Sequence, residues 1–451
     1  MAASVMASEK NFSGATKEML APTWWTEKTS RPEAVIMSPQ AIEALNGKIE
    51  KTKGTYCTDI LKFPEELSRK RFLKRLAPYA STGKKKLFLG AAPANEAFLM
   101  KLRANAATAA VPEKVEPRFA VAVLNTPLST WPVAEALYSE PNDSFFDENR
   151  QSSIKAWEPV AVLHRSGDGA FYFVASGTAD GWVRASSVAF VSKEELAALY
   201  ARDFYTVTDN RITTDLSVDD TEASRREFTM GTRLPAALSS DFASVSSDLN
   251  GLPSEELYVD GIAPDYSVLV LEPLRKADGT LAAVPLRLPL NASLVAGYLP
   301  YTKQAVLTQA FKMLGERYGW GGMFSARDCS AFIQDIYQSF GFRLPRNSGS
   351  QARVPANITE LKKLSRDEKL RSISAASPGS LLRMPGHIML LLGSVDGVPY
   401  VIHDAYAYGA SGKKGEGGRR VINCVAVSDL FITRKNGSDF LDNLTELVEI
   451  R

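Results

Sequence analysis

Residues 318–332 read Tyr318-Gly319-Trp320-Gly321-Gly322-Met323-Phe324-Ser325-Ala326-Arg327-Asp328-Cys329-Ser330-Ala331-Phe332. Cys329 stands directly behind an aspartate and heads an apolar run. The spacing predicts a helix over 328–340, ended by Gly341. A thiol at a helix N-terminus meets the positive end of the macrodipole and the unpaired N–H groups there. Both favour thiolate, the nucleophilic form, so a lowered thiol pKa is expected at Cys329. A lone cysteine at a helix start is more often packing than chemistry. Here the polar neighbours Asp328 and Ser330, and the glycine-rich backbone of Tyr318–Gly322, favour chemistry.

The chain has three histidines, and two of them, His387 and His403, lie downstream of Cys329. A cysteine, a histidine base and a third group that orients the base make a Cys–His hydrolase. His387 follows Pro385-Gly386 and opens the apolar run Ile388–Leu392, while His403 ends Tyr400-Val401-Ile402. Both runs read as strands. An even sequence separation places both rings on one face of a hairpin. A two-residue turn at Asp396-Gly397 sends them to opposite faces, so the triad predicts a longer, odd-numbered loop at about 393–397. His164, beside Arg165 and Ser166, reads as structural, as do Cys57 and Cys424 in their apolar surroundings.

Length and composition bound the rest. A chain of 451 residues exceeds one ordinary domain, and two to four are expected. Hydrophobic residues make up 45% and charged residues 23%, a globular balance. A net charge of +2 argues against a dedicated nucleic-acid binder. No apolar run is long enough for a membrane span. The first residues lack the charged start and apolar core of a signal peptide. This leaves two expectations, a cytoplasmic protein or a periplasmic or secreted one whose signal has been removed. Three widely spaced cysteines make no disulfide framework. No C-x-x-C pair and no H-E-x-x-H helix occurs, so neither metal nor cofactor is expected.

Composition shifts divide the chain into four expected domains. Residues 1–110 are helical and irregular, with a helix start at Ser38-Pro39 and another at Pro64. Residues 111–200 hold short strand-like runs at 119–124, 160–164, 171–174 and 181–183, then a helix at 193–201, which suggests a small antiparallel barrel. Residues 201–300 suggest a second barrel, with strands at 205–207, 267–271 and 283–288 and a long decorated loop over 214–260. Residues 301–451 combine an amphipathic helix over 302–318, the Cys329 helix and strands at 387–392, 400–403 and 421–427, an α+β arrangement. The segment 413–420 reads as a solvated basic loop.

The ordered set Tyr318, Trp320-Gly321-Gly322, Asp328-Cys329-Ser330, Leu344-Pro345-Arg346, Gly386-His387 and His403 resembles the NlpC/p60 family of cysteine peptidases, over about residues 301–430. Upstream, Phe146-Asp147, Gln151, Trp157-Glu158-Pro159-Val160 and Gly181-Trp182-Val183 resemble the first of two bacterial SH3-like domains found in one subgroup. The resemblance implies a multidomain chain with a papain-like α+β catalytic domain preceded by two SH3-like barrels and a stabilising N-terminal segment. It implies catalysis by Cys329, His387 and His403, with Tyr318 supporting the oxyanion. It places Asp328, Ser330, Asn347, Ser348 and Trp182 near substrate, with Glu158 as a further candidate. The implied substrate is a peptidoglycan stem peptide or muropeptide, cut between γ-D-glutamate and a diamino acid, with a free N-terminal L-alanine preferred. Some relatives carry aspartate where this chain has Asn347, and the neutral amide lacks charge assistance toward the substrate amine. Two other readings stay open, a wall-binding protein with a degenerate catalytic domain and a Cys–His hydrolase of another amide or ester.

Overall fold

The structure is a computed structural model and describes residues 13–217, 221–242, 258–259, 261–409 and 418–451. Two compact units are present. The first comprises Met1–Tyr56, Leu299–Gly319 and Ala326–Arg451; the second comprises Cys57–Tyr298 and Trp320–Ser325. The segment expected as one N-terminal domain, 1–110, is therefore shared between them.

The second unit contains a seven-stranded antiparallel sheet. Its strand order is Val188–Phe190, Arg118–Ala122, Pro159–Arg165, Phe171–Ala175, Asp180–Arg184, Thr126–Ser129 and Arg150–Ile154. Alternation sorts its side chains into two cores. Val160, Val162, Val174 and Val183 enter one, and Val121, Ala161, Leu163, Phe173 and Trp182 enter the other. The following helix, Lys193–Ala201, forms where the sequence places it, held by a capping box between Ser192 and Glu195.

Residues 201–298 form three small antiparallel sheets. Phe204–Val207 lies between Arg233–Pro235 and Leu294–Ala296. Arg211–Thr213 pairs with Glu227–Thr229, and Ser267–Arg275 pairs with Leu281–Pro289. Val270, Leu271 and Leu288 share a core with Trp157, whose Nε1 donates to the Leu271 carbonyl at 2.9 Å. The expected loop over 214–260 instead contains two of these strands, 227–229 and 233–235. Their three-residue length gives too short an alternation to read from sequence. Residues 218–220, 243–257 and 260 lie outside the described residues, as do 413–417 of the expected basic loop.

The first unit carries the candidate chemistry. Its helices after residue 299 are α1 (Lys303–Phe311), α2 (Cys329–Gln338), α3 (Ser348–Gln351), α4 (Arg366–Ala375) and α5 (Phe440–Asn443). Its main sheet has the strands β1 (Asn357–Glu360), β2 (Leu381–Met384), β3 (His387–Val395), β4 (Val398–Gly409), β5 (Arg419–Asp429) and β6 (Glu446–Glu449), in the order β1-β6-β2-β3-β4-β5. All pairs are antiparallel. Helix α2 packs on β3 and β4. Ile373 of α4 and Phe440 and Leu441 of α5 share a core with Met389, Leu391 and Val401. The helix Pro39–Lys51 starts where expected, with Ser38 Oγ accepting the Ala41 N–H. It joins the same unit through Asn46, which donates to the Gly341 carbonyl at 2.9 Å and accepts the Arg343 N–H at 2.8 Å.

Helix α1 is shorter than the pattern predicts. It ends at Phe311, and Gly315 turns the chain at φ 81°. The next residues run along β5, with Gly315 N–H on the Val425 carbonyl and Tyr318 N–H on the Asn423 carbonyl. Strand pairing thus takes over the last turn of the apolar pattern and delivers Tyr318 to the edge of the sheet that bears the histidines.

Candidate active site

Asp328 is the N-cap of α2. Its Oδ1 accepts the N–H groups of Ser330 at 3.2 Å and Ala331 at 3.0 Å and the Ser330 hydroxyl at 3.0 Å. Arg346 grips the same carboxylate in bidentate fashion, Nη1 to Oδ1 at 3.0 Å and Nη2 to Oδ2 at 2.6 Å, and also reaches the Ser330 hydroxyl at 2.9 Å. Burial raises the Asp328 pKa, but Arg346, the Ala331 N–H and the Ser330 hydroxyl together hold the carboxyl below its usual range. Leu344-Pro345-Arg346 therefore has a structural task, to place a guanidinium under the head of α2. Asp328 and Ser330, expected to contact substrate, are buried and committed to this network.

Cys329, the first residue of α2, is only 8% exposed. Its pKa is pushed up to about 12, first by burial and then by the Asp328 charge; the Ile388 N–H and Arg346 pull the other way. The lowered value expected from the macrodipole is overturned. The helix end is already occupied by an anionic cap, and desolvation penalises a second negative charge there. Helix α2 nonetheless packs on β3 and β4, the strands that carry His387 and His403.

His387 and His403 meet directly, His387 Nε2 to His403 Nδ1 at 2.6 Å. The longer loop expected between them is absent. Asp396-Gly397 makes a two-residue turn, with φ 51° and 77° and Val395 opposite Val398. A β-bulge restores the parity: Leu391 pairs with Val401 and Gly393 with Tyr400, which leaves Leu392 unpaired. Beyond the bulge the register puts both histidines on one face.

The far side of His403 is tied down. Its Nε2 lies 3.1 Å from both the Tyr408 and the Ser428 hydroxyls, and the Tyr408 ring stacks on it at 15°. Phe440 stands edge-on to His387, His403 and Tyr408. Tyr408 and Ser428 escaped the sequence reading, because the break in β4 pairing between Ala405 and Ala407 defeats a period-2 count to Tyr408. Burial lowers the His387 pKa to about 4 and that of His403 well below its usual value, so both rings are neutral. With Nε2 facing His403, Nδ1 is the nitrogen of His387 left to take a proton.

Tyr318 is buried beside this group, and its phenol is held protonated, chiefly by burial and then by the nearby Cys329 and Asp328. It can donate but not carry charge. Asn347 is exposed at the N-cap of α3, where its side chain makes no capping bond, and Ser348 follows it half-buried. Both remain open to a ligand. Among the described residues no group of three or more His, Cys, Asp or Glu is arranged to hold a metal ion.

Several candidates serve the second unit instead. Trp182 is fully buried, donates from Nε1 to the Tyr79 carbonyl at 3.0 Å and packs against Phe173. It is a core residue with no face left for substrate, which corrects the expectation. Glu158 accepts the Lys155 N–H in a turn at 3.2 Å. His164 Nε2 donates to the Ala106 carbonyl at 3.2 Å, the structural role read for it. Gly321 and Gly322 are close-packed rather than flexible. A Cβ on Gly321 would lie 2.7 Å from the Arg150 carbonyl oxygen, and one on Gly322 2.9 Å from Ser153 Cβ. Trp320 stacks edge-on to Phe146.

Comparison with known proteins gives three results. Residues 315–412 match the NlpC/P60 family, and residues 136–184 match an SH3 domain of the SH3b1 type. No curated protein matches the chain. Among solved structures, an NlpC/P60 endopeptidase from Photobacterium damselae subsp. piscicida matches with a TM-score of 0.72 at 16% identity, covering 94% of this chain and 96% of that one. An NlpC/P60 family protein from Bacillus cereus ATCC 10987 matches with a TM-score of 0.46 at 16% identity, covering 73% of this chain and 99% of that one. The thiol at the head of α2 and the paired histidines of β3 and β4 thus all lie within the segment that matches the NlpC/P60 family, which this chain carries together with a segment that matches an SH3b1-type domain.

Proposed function

We propose that the chain is a cysteine endopeptidase that cuts the γ-D-glutamyl–diamino acid bond of peptidoglycan stem peptides. The observation that carries this reading is the pair His387–His403, tied on its far side to Tyr408 and Ser428, on the two strands against which the helix headed by Cys329 packs.

The chemistry starts from a neutral pair. His387 Nε2–H donates to His403 Nδ1, and His403 Nε2–H donates to the hydroxyls behind it, so His387 Nδ1 is free to act as base. As Cys329 Sγ attacks the γ-carbonyl carbon, its proton passes to His387 Nδ1. The carbonyl oxygen becomes an oxyanion, which the Cys329 N–H and the Tyr318 hydroxyl are suited to receive. The C–N bond breaks as His387 returns the proton to the leaving amine, and a thioester remains. Water then attacks, giving its proton to His387, and the thiolate leaves and takes that proton back from His387. Burial of both groups favours proton transfer during attack over a standing ion pair.

The exposed Asn347 amide supports recognition of a free N-terminal L-alanine, since its carbonyl oxygen accepts from an ammonium. The test is product analysis by mass spectrometry on defined muropeptides, with the alanine free and muramyl-blocked. Release of L-Ala-γ-D-Glu from the free peptide, at a higher rate than from the blocked one, is the expected result. Binding of every muropeptide without product would favour a wall-binding protein. Cleavage at another amide or an ester would replace the proposed bond.

A further inference from the structure

Behind the candidate site lies a carboxyl group that the reaction does not use. Asp404 follows His403 in β4 and is fully buried, and neither of its side-chain oxygens has a hydrogen-bond partner. The two buried arginines on this side of the site, Arg327 and Arg346, are already engaged by carboxylates. Arg327 holds Glu316 through Nη1 and Asp335 through Nε, each at 2.6 Å. Arg346 holds Asp328 with both Nη atoms. Three carboxylates, Glu316, Asp335 and Asp328, thus already share two buried guanidinium groups, and the charge of Asp404 would be a fourth, with no hydrogen-bond donor of its own. An isolated buried carboxylate is costly enough that the group takes up a proton instead.

We propose that Asp404 is a positioning residue of the active site, a carboxylic acid kept uncharged so that Cys329 faces one buried anion, Asp328, and not two. The groups facing it come from every element around it. Glu316, Tyr318 and Arg327 precede α2, Asp328 and Cys329 form its head, Tyr408 lies further along β4, and Cys424 comes from β5. Burial, Asp328 and Glu316 raise the Asp404 pKa, and Arg327 opposes them without prevailing. Helix α2 packs on β4, and the charge of an ionised Asp404 is one of those that raise the Cys329 thiol, so a proton on Asp404 leaves that thiol easier to ionise.

The test compares wild type with Asp404→Asn, a neutral near-isostere, in the full chain. An acid whose folded pKa is raised stabilises the fold below its unfolded pKa of about 3.9, and that stability is lost as pH rises toward the folded value. The melting temperature of D404N minus that of wild type should therefore grow as pH rises from 4 to 8. A difference that stays constant or shrinks overturns the proposal. The second readout is the rate of Cys329 alkylation by iodoacetamide against pH, mapped by mass spectrometry apart from Cys57 and Cys424. Equal rates at neutral pH, and a D404N rate about three- to tenfold higher at alkaline pH, are expected from removing a nearby charge that wild type acquires there. Superimposable profiles overturn it. If D404N does not fold, the carboxyl 13C resonance of Asp404 in wild type decides, by lying at the protonated position at pH 7 or not. The functional meaning rests on Cys329 being the nucleophile, but all three readouts need no substrate, so they stand or fall separately from the peptidase reading.

Discussion

Removing the His403 ring should cost far more activity than stability, and the structure says why. The ring is fully buried and spans 2.6 Å to His387 Nε2 and 3.1 Å to the two hydroxyls of Tyr408 and Ser428. His403→Leu fills most of the space but offers no acceptor. The His387 Nε2–H then loses its partner, and nothing selects the tautomer with a free Nδ1. Loss of the group that orients a catalytic histidine lowers kcat by about four orders of magnitude in the serine-protease triad, about 5.5 kcal/mol of barrier. Unsatisfied buried donors cost about 1–3 kcal/mol of folding each. His403→Asn retains an acceptor in its Oδ1 and should keep activity within about one to two orders of magnitude of wild type. The assay is kcat/KM on L-Ala-γ-D-Glu-diaminopimelate by chromatography with mass detection, with melting temperature as the control. A folded H403L within tenfold of wild type would refute the role given to His403.

Other outcomes follow from the same site. Arg346→Met leaves the buried Asp328 carboxylate without its cation and should cost about 3–5 kcal/mol; adding Asp328→Ser, which keeps an N-cap oxygen but removes the charge, should restore part of it. Thermal melts of the single and double variants check this, and a double variant less stable than R346M contradicts it. The pH dependence has a definite sign. His387 is neutral when folded, with its pKa lowered to about 4, so the stability it contributes is full above about 6.5 and is lost as pH falls through 4. The acid limb of kcat/KM for the free enzyme should accordingly lie near 4, and a limb at the ordinary histidine value would show that His387 is not desolvated. With the thiol pushed up to about 12, alkylation of Cys329 at pH 7 should be slower than that of an ordinary exposed cysteine.

The sequence was legible where local chemistry and side-chain period speak together. Ser38 caps a helix where its neighbours suggest one, the helices at Lys193–Ala201 and Cys329–Gln338 form where the pattern predicts them, and the two histidine strands lie where apolar runs predict them. The same-face placement of His387 and His403 was anticipated, but by a different route. An Asp-Gly turn follows strand twist and is the favoured hairpin connection, and the unpaired Leu392 supplies the missing residue. Burial was not legible. Asp328 and Ser330 looked like ligand-facing polar residues and instead form a closed network with Arg346, a partner 18 positions away that no local rule identifies. The thiol was misjudged for the same reason, since a helix end predicts its field but not its desolvation. Trp182 has the composition of a binding aromatic, and only the fold shows it enclosed.

The central claim is that Cys329 carries the acyl group. Intact-protein mass spectrometry of acid-quenched turnover on L-Ala-γ-D-Glu-diaminopimelate tests it directly. A mass increase equal to the L-Ala-γ-D-Glu acyl unit, mapped to the peptide containing Cys329 and absent from Cys329→Ala, is the expected result. Undiminished product formation by Cys329→Ala, with no acyl adduct on the wild-type cysteine, would contradict it.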